Sequence, residues 1–136
     1  MLESGIKIYG DGTTAQIARN TVDSVFYGMS VTLTGGAIRN NVVRHGRRLL
    51  TFRSVGIKLS GGQDVEVNGN TVRGFHYGTH ADGGAANHDI HDNDFRGNRV
   101  TDCFDETSGA GTAGTANVWT NDLGITDSPN GLCSPP

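Results

Sequence analysis

Long apolar runs, helical periodicity and lysine are all scarce in this chain. No stretch approaches the 18 or more apolar residues of a membrane span, and the opening MLESG lacks the basic and apolar regions of a secretory leader. No membrane partner is expected. Met1 is equally compatible with an excised mature domain, so the missing leader leaves the compartment open. Of the 11 basic side chains only Lys7 and Lys58 are lysines, and the formal net charge is -3. That balance argues against nucleic acid as the main partner, because phosphate binding rests on a net basic surface. The many arginines instead favour planar paired contacts with carboxylates. Leucine does not recur at the fixed positions of a leucine-rich repeat, and tandem Gly-Gly-x-Gly-x-Asp is missing, with only ADGG coming near. Both of those solenoid types are excluded.

What is abundant is glycine, 21 of 136 residues, against a usual share of about 7%. Its placement is periodic. GIKI, GMSV, GIKL and GTHA begin at Gly5, Gly28, Gly56 and Gly78, each with alternating apolar residues such as Ile6/Ile8 and Ile57/Leu59. A second series, ARNTV, RNNVV, NGNTV, HDNDF and WTNDL, places Asn at 20, 41, 70, 93 and 121. An apolar residue stands two positions after each Asn, and Ile17, Ile38, Val67, Ile90 or Val118 three positions before it. Each unit therefore carries short period-two strands between Gly and Asn corners. Units this small cannot bury a face alone and must stack, pairing each strand with its equivalent about 4.8 Å away. Asn tolerates left-handed backbone and bonds turn amides, which is a structural reason for it at every corner. In the fifth unit, ANVWTNDL, Val118 and Leu123 are expected to point inward, with the Gly-Thr run before it as loop.

This pattern over residues 5 to 124 resembles the right-handed parallel β-helix repeats of the pectate-lyase-like superfamily. The closing DCFDETSGAGTAGTANVWTNDLGITDSPNGLC is similar to the C-terminal end of secreted bacterial β-helix proteins. The resemblance implies an all-β, single-stranded parallel β-helix of about five coils over residues 1–124, a capping tail over 125–136, and an extracellular or cell-surface location. A Cys103–Cys133 bridge would close a loop of about 30 residues, worth roughly 3–4 kcal/mol on chain-entropy grounds; the alternative is two free buried thiols. Nothing before Gly5 is long enough to cover the first coil. The chain is therefore expected either to be the C-terminal part of a longer protein or to form a homo-oligomer through its N-terminal end.

Stacking converts sequence positions into outward columns. Two residues after each glycine stand Lys7, Ser30, Lys58 and His80; four after it, Tyr9, Thr32, Ser60 and Asp82. The superfamily resemblance implies a substrate groove along such a sheet in lyases, epimerases and hydrolases. His80 is then the candidate base, Lys58 the cation that neutralises a uronate carboxylate, and Asp82 the group that orients His80 or binds a cation. YGTHADGG is similar to motifs of alginate-modifying β-helices but lacks their full acidic signature. The competing expectation is that polar residues stand here because outward positions must be polar.

A second column holds Asp23, Arg44, Arg73 and Arg96, suited to an acidic polysaccharide or to salt bridges with Asp92 or Asp94. A third face, two and four positions before each Asn, carries Gln16/Ala18, Ala37/Arg39, Glu66/Asn68, Asp89/His91 and Asn117/Trp119. On it His91 and Trp119 are candidate sugar contacts, and the alternative for Trp119 is burial under the tail. His88 and His91 are three apart and fall on opposite faces of a strand, so zinc is not expected and no metal-ligating residue is assigned. Asp82, Asp89 and Asp92 offer oxygens to a hard cation such as Ca2+ but have no loop signature, and no cofactor is called for. The insertion RHGRRLLTFRS places His45, Arg47, Arg48 and Arg53 at a basic rim, with Leu49, Leu50 and Phe52 folded back on the body or facing a partner. The expected function is an extracellular carbohydrate-binding or assembly module without catalysis of its own; the alternative is an acidic-polysaccharide lyase, epimerase or hydrolase.

Overall fold

The computed structural model describes residues 4–11, 15–24, 26–46 and 53–135. Arg47, Arg48, Leu49, Leu50 and Phe52 of the expected basic rim lie outside them. Each sequence repeat supplies short strands in rotation. The first gives β1 (Ser4–Asp11), β2 (Gln16–Ala18) and β3 (Thr21–Ser24), and the second β4 (Tyr27–Thr34), β5 (Ala37–Arg39) and β6 (Val42–His45). The third gives β7 (Val55–Ser60), β8 (Glu66–Asn68) and β9 (Thr71–Arg73), and the fourth β10 (Tyr77–Asp82) and β11 (Asp89–His91). The fifth gives β12 (Thr101–Asp105) and β13 (Val118–Thr120), and β14 (Asp127–Ser128) comes from the tail. The fold is all-β, with a single 3-10 turn at Thr112–Gly114 among the described residues.

Equivalent strands pair in parallel, one repeat to the next. They build a six-stranded sheet β1-β4-β7-β10-β12-β14, a five-stranded sheet β13-β11-β8-β5-β2 and a three-stranded sheet β3-β6-β9. The inward residues of all three sheets meet in one apolar cluster that includes Ile17, Ile38, Val67, Ile90, Val22, Val43, Val72, Met29, Ile57 and Phe75. The recurring glycines have a steric cause. A Cβ on Gly28 would run into the Val43 side chain and the Gly56 carbonyl, and one on Gly56 into Val72 and the Gly78 carbonyl.

A line of carboxamides, exposed at Asn20 and buried at Asn41, Asn70 and Asn93, runs from repeat to repeat. The Asn20 Nδ2 donates to Asn41 Oδ1 at 3.1 Å, Asn41 to Asn70 at 2.9 Å, Asn70 to Asn93 at 2.9 Å, and Asn93 to Asp122 Oδ1 at 2.8 Å. Each acceptor also takes the backbone N–H of the preceding ladder residue. The second Nδ2 hydrogen bonds a main-chain carbonyl: Ile17 for Asn41, Ile38 for Asn70 and Val67 for Asn93. These side chains recur for the ladder rather than for left-handed backbone. The residues with positive φ are those just before them, Arg19, Asn40, Gly69, Asp92 and Asn121.

The fifth repeat is therefore shifted by one from its expected alignment. Trp119 pairs with Ile90 and is 4% exposed, whereas Val118 is 47% exposed. Asp122, not Asn121, ends the ladder, and Leu123 lies half-buried beside Asp94 rather than inward. Asn121 takes the left-handed slot, which also suits Asn.

Two ends are finished differently. Cys103 and Cys133 form a disulfide that ties the tail to β12. Leu132 is buried, and Asp127 Oδ2 accepts from the backbone N–H groups of Gly131, Leu132 and Cys133. At the other end β1, β2 and β3 each have one edge without a strand partner among the described residues.

Asp122 breaks the chemistry of the ladder but not its shape. Its Oδ2 is buried without a donor, at the position where the other ladder residues carry an NH2. Burial, opposed by the Asn93 donors, pushes its carboxyl from the ordinary 3.8 up to about 7. The neutral acid is thus the form the fold prefers. Stability from it is complete below the unfolded pKa near 4 and is lost as pH rises through about 7. Asp122→Asn should remove that loss and exceed the parent chain in urea stability at pH 8 by roughly 2–4 kcal/mol, with little difference at pH 4. Asn70→Ala, which orphans Asn41 N, Asn41 Nδ2 and Ile38 O, should cost about 3 kcal/mol or more at either pH.

Candidate functional site

On the outer face of the six-stranded sheet the register brings Lys7, Ser30, Lys58, His80 and Phe104 into one column. Because the glycines turn inward, the residues before them face out, so Tyr27, Val55 and Tyr77, which are in register, run beside that column. Tyr27, Val55 and Tyr77 line a cleft of about 290 Å³ with Lys58, His80 and Phe104 of the column and with Arg53, Asp82 and Glu106.

Lys58 lies at its floor, with only 11% of its side chain exposed. Its Nζ donates to Asp82 Oδ2 at 2.7 Å and to His80 Nδ1 at 2.9 Å. An ammonium can only donate, so Nδ1 carries the lone pair; Nε2–H then donates to Glu106 Oε2 at 2.7 Å. The imidazole also stacks on Phe104, with centroids 4.5 Å apart and planes 12° from parallel, and Tyr77 lies 5.0 Å from Phe104. Burial lowers the His80 pKa, the Glu106 hydrogen bond opposes this, and the Lys58 charge adds to the lowering. His80 is a neutral ring held on three sides.

The structure thus brings Lys58, His80 and Asp82 together and adds four residues that the sequence reading omitted: Glu106, Phe104, Tyr27 and Tyr77. A Tyr directly before Gly in YGMSV and YGTHA was a visible signal. Glu106 had none, because β12 begins TDCF and carries no glycine to anchor it.

Each arginine of the column is ion-paired, but three arginines share two aspartates. Arg44 pairs with Asp23 at 3.1 Å, while Arg73 and Arg96 share Asp94, each at 2.7 Å. Arg96 and then Arg73 hold the Asp94 carboxyl well below the usual carboxylate range. Trp119 is not available to a sugar. It packs inside, edge-on to Phe95, and its Nε1–H donates to Asp105 Oδ2 at 2.9 Å. It continues the inward column of Ile17, Ile38, Val67 and Ile90, and Leu132 of the tail belongs to the same buried cluster.

The two histidines near β11 do point opposite ways. His88 is buried; its Nδ1 accepts from Val65 N and its Nε2–H donates to Gly61 O, and burial lowers its pKa. His91 faces outward, bonded through Nδ1 to Asp92 at 2.8 Å and through Nε2 to Glu66 at 3.1 Å, and Asp92 chiefly raises its pKa.

No family model, curated protein or solved structure matches this chain. In the cleft, Lys58→Met should raise the His80 pKa, measured by NMR titration of the ring, because it removes a positive charge and leaves Asp82 facing the imidazole. A His80 pKa that stays put or falls would contradict the described bonding.

Proposed function

We propose that the three sheets wrap around their common interior as a right-handed parallel β-helix of the pectate-lyase-like type. In this reading residues 1–124 are the coils and 125–136 the cap. The chain works as a carbohydrate-binding module in an extracellular or cell-surface setting, and its sugar site is the cleft of the six-stranded sheet. The rotation of strands among three parallel sheets supports the architecture, and the disulfide supports a non-reducing compartment.

The observation that carries the binding reading is the composition of the cleft. Tyr27, Tyr77 and Phe104 give apolar ring faces and edges beside a fixed set of donors and acceptors from Lys58, Arg53, Asp82 and Glu106. Few precisely placed polar groups against an apolar wall is the usual make-up of a small-molecule site. With His80 neutral, Arg53 and Lys58 balance Asp82 and Glu106. Hydroxyl hydrogen bonds and stacking therefore hold the ligand, and a polyanion gains no net attraction there.

The same geometry weighs against the lyase or epimerase reading. A general base needs a lone pair aimed at substrate, and the one on His80 is taken by Lys58. Self-association through the open edges of β1, β2 and β3 is compatible with this role.

Calorimetric titration with neutral hexose oligosaccharides, oligogalacturonate and alginate oligosaccharides tests the proposal. Neutral sugars should bind, and Tyr77→Ala and Phe104→Ala should each weaken binding about tenfold or more, in line with the loss of about 1–2 kcal/mol of aromatic contact. Absence of binding in all three series, or the appearance of unsaturated products by absorbance, would defeat it.

A further inference from the structure

A second group of polar side chains stands on the outer face of the five-stranded sheet, away from the cleft. Asp89 and His91 are two apart on β11 and so project from the same face. Glu66 on the neighbouring β8 is the register partner of Asp89. One donor atom from each of Glu66, Asp89 and His91 lies within 4.8 Å of the other two, and Glu66 Oε2 is 3.1 Å from His91 Nε2.

The bonds around His91 are arranged by role. Asp92 Oδ2 faces Nδ1 at 2.8 Å and Glu66 Oε2 faces Nε2 at 3.1 Å, so without a metal both ring N–H groups donate to carboxylates, and a metal on Nε2 would take the place of the proton shared with Glu66. A carboxylate on one ring nitrogen that orients the other towards a ligand-binding point is the usual outer support of a metal-bound histidine. Arg39 approaches the far oxygen of Glu66, Oε1, at 4.0 Å and leaves Oε2 facing His91. Three carboxylates, Glu66, Asp89 and Asp92, thus surround one imidazole.

The cleft offers an instructive contrast. His80, Asp82 and Glu106 also bring donor atoms within 4.8 Å. There the Lys58 ammonium already sits 2.7 Å from Asp82 and 2.9 Å from His80, filling the position of a cation. The β8–β11 group has no such lysine.

We propose that Glu66, Asp89 and His91 form a binding site for a divalent transition metal of the zinc type, with Asp92 as the positioning residue for His91. One nitrogen and two carboxylate oxygens suit a borderline ion, with water completing a tetrahedral shell. Ca2+ is disfavoured, because it takes six to eight oxygens and this group offers an imidazole. The site is assembled by stacking: Glu66 is 23 residues from Asp89 in sequence but adjacent in the sheet. The inference does not depend on the sugar-binding proposal.

Calorimetry with ZnCl2 on the intact chain at pH 7.5 should give one saturable site with Kd below about 100 μM, and Co2+ should give the visible absorption of a four-coordinate ion. His91→Ala should abolish both signals, and Asp92→Asn should weaken Zn2+ by about 10–100-fold. His80→Ala should leave both unchanged, with circular dichroism confirming that each variant is folded. Lack of saturable binding in the parent chain, or binding that survives His91→Ala, would overturn the proposal.

Discussion

A carboxamide placed in an apolar interior is costly unless its N–H and C=O groups are all bonded, and this chain puts three of them there in a row, Asn41, Asn70 and Asn93. Each ladder Asn is satisfied only by its equivalents one repeat before and after, plus a carbonyl of the five-stranded sheet. A repeat that slipped by one residue along its neighbour would strand several polar groups at once. The apolar residues on either side tolerate some repacking, but the ladder does not, so register is set by hydrogen bonds and filled in by hydrophobic contact. Asp122 keeps the same geometry through Oδ1, but its Oδ2 is buried without a partner, and burial favours its protonated form.

Register then determines the outside. Because Lys58 and His80 are direct partners, the ammonium meets the imidazole. Because His80 is the partner of Phe104, the ring has a stacking surface. The glycines contribute through their missing side chains, letting the third sheet approach and turning Tyr27 and Tyr77 to the surface. One scaffold thus presents three unlike faces: a charge-balanced aromatic cleft, a mixed carboxylate-imidazole group, and a stripe of three arginines paired with two aspartates, Asp23 and Asp94.

The periodic parts of this arrangement were legible in the chain. Asn20, Asn41, Asn70 and Asn93 align as their spacing predicts, and the column through Lys7, Ser30, Lys58 and His80 follows from the glycine series. The fifth repeat misled because two adjacent slots both accept Asn, one for a left-handed backbone and one for the ladder. In WTND the Asn fills the first and Asp the second. That ambiguity exchanged the expected burial of Val118 for that of Trp119. Glu106 was missed for a different reason: it gains its neighbours only from the lateral pairing of strands, which local pattern does not contain when an anchoring glycine is lacking, whereas Glu66 and Asp89 share a column that their spacing from Asn70 and Asn93 already gives.

The central claim, that buried carboxamides lock successive repeats into register, is tested most directly by hydrogen exchange of the side-chain NH2 groups in uniformly 15N-labelled protein. The account predicts that the Nδ2 protons of Asn41, Asn70 and Asn93 exchange as slowly as the core amides of Ile57 and Val67, while those of Asn121 and Asn130 exchange at the rate of free carboxamides. Rapid exchange at Asn41, Asn70 and Asn93 in the folded protein would contradict it.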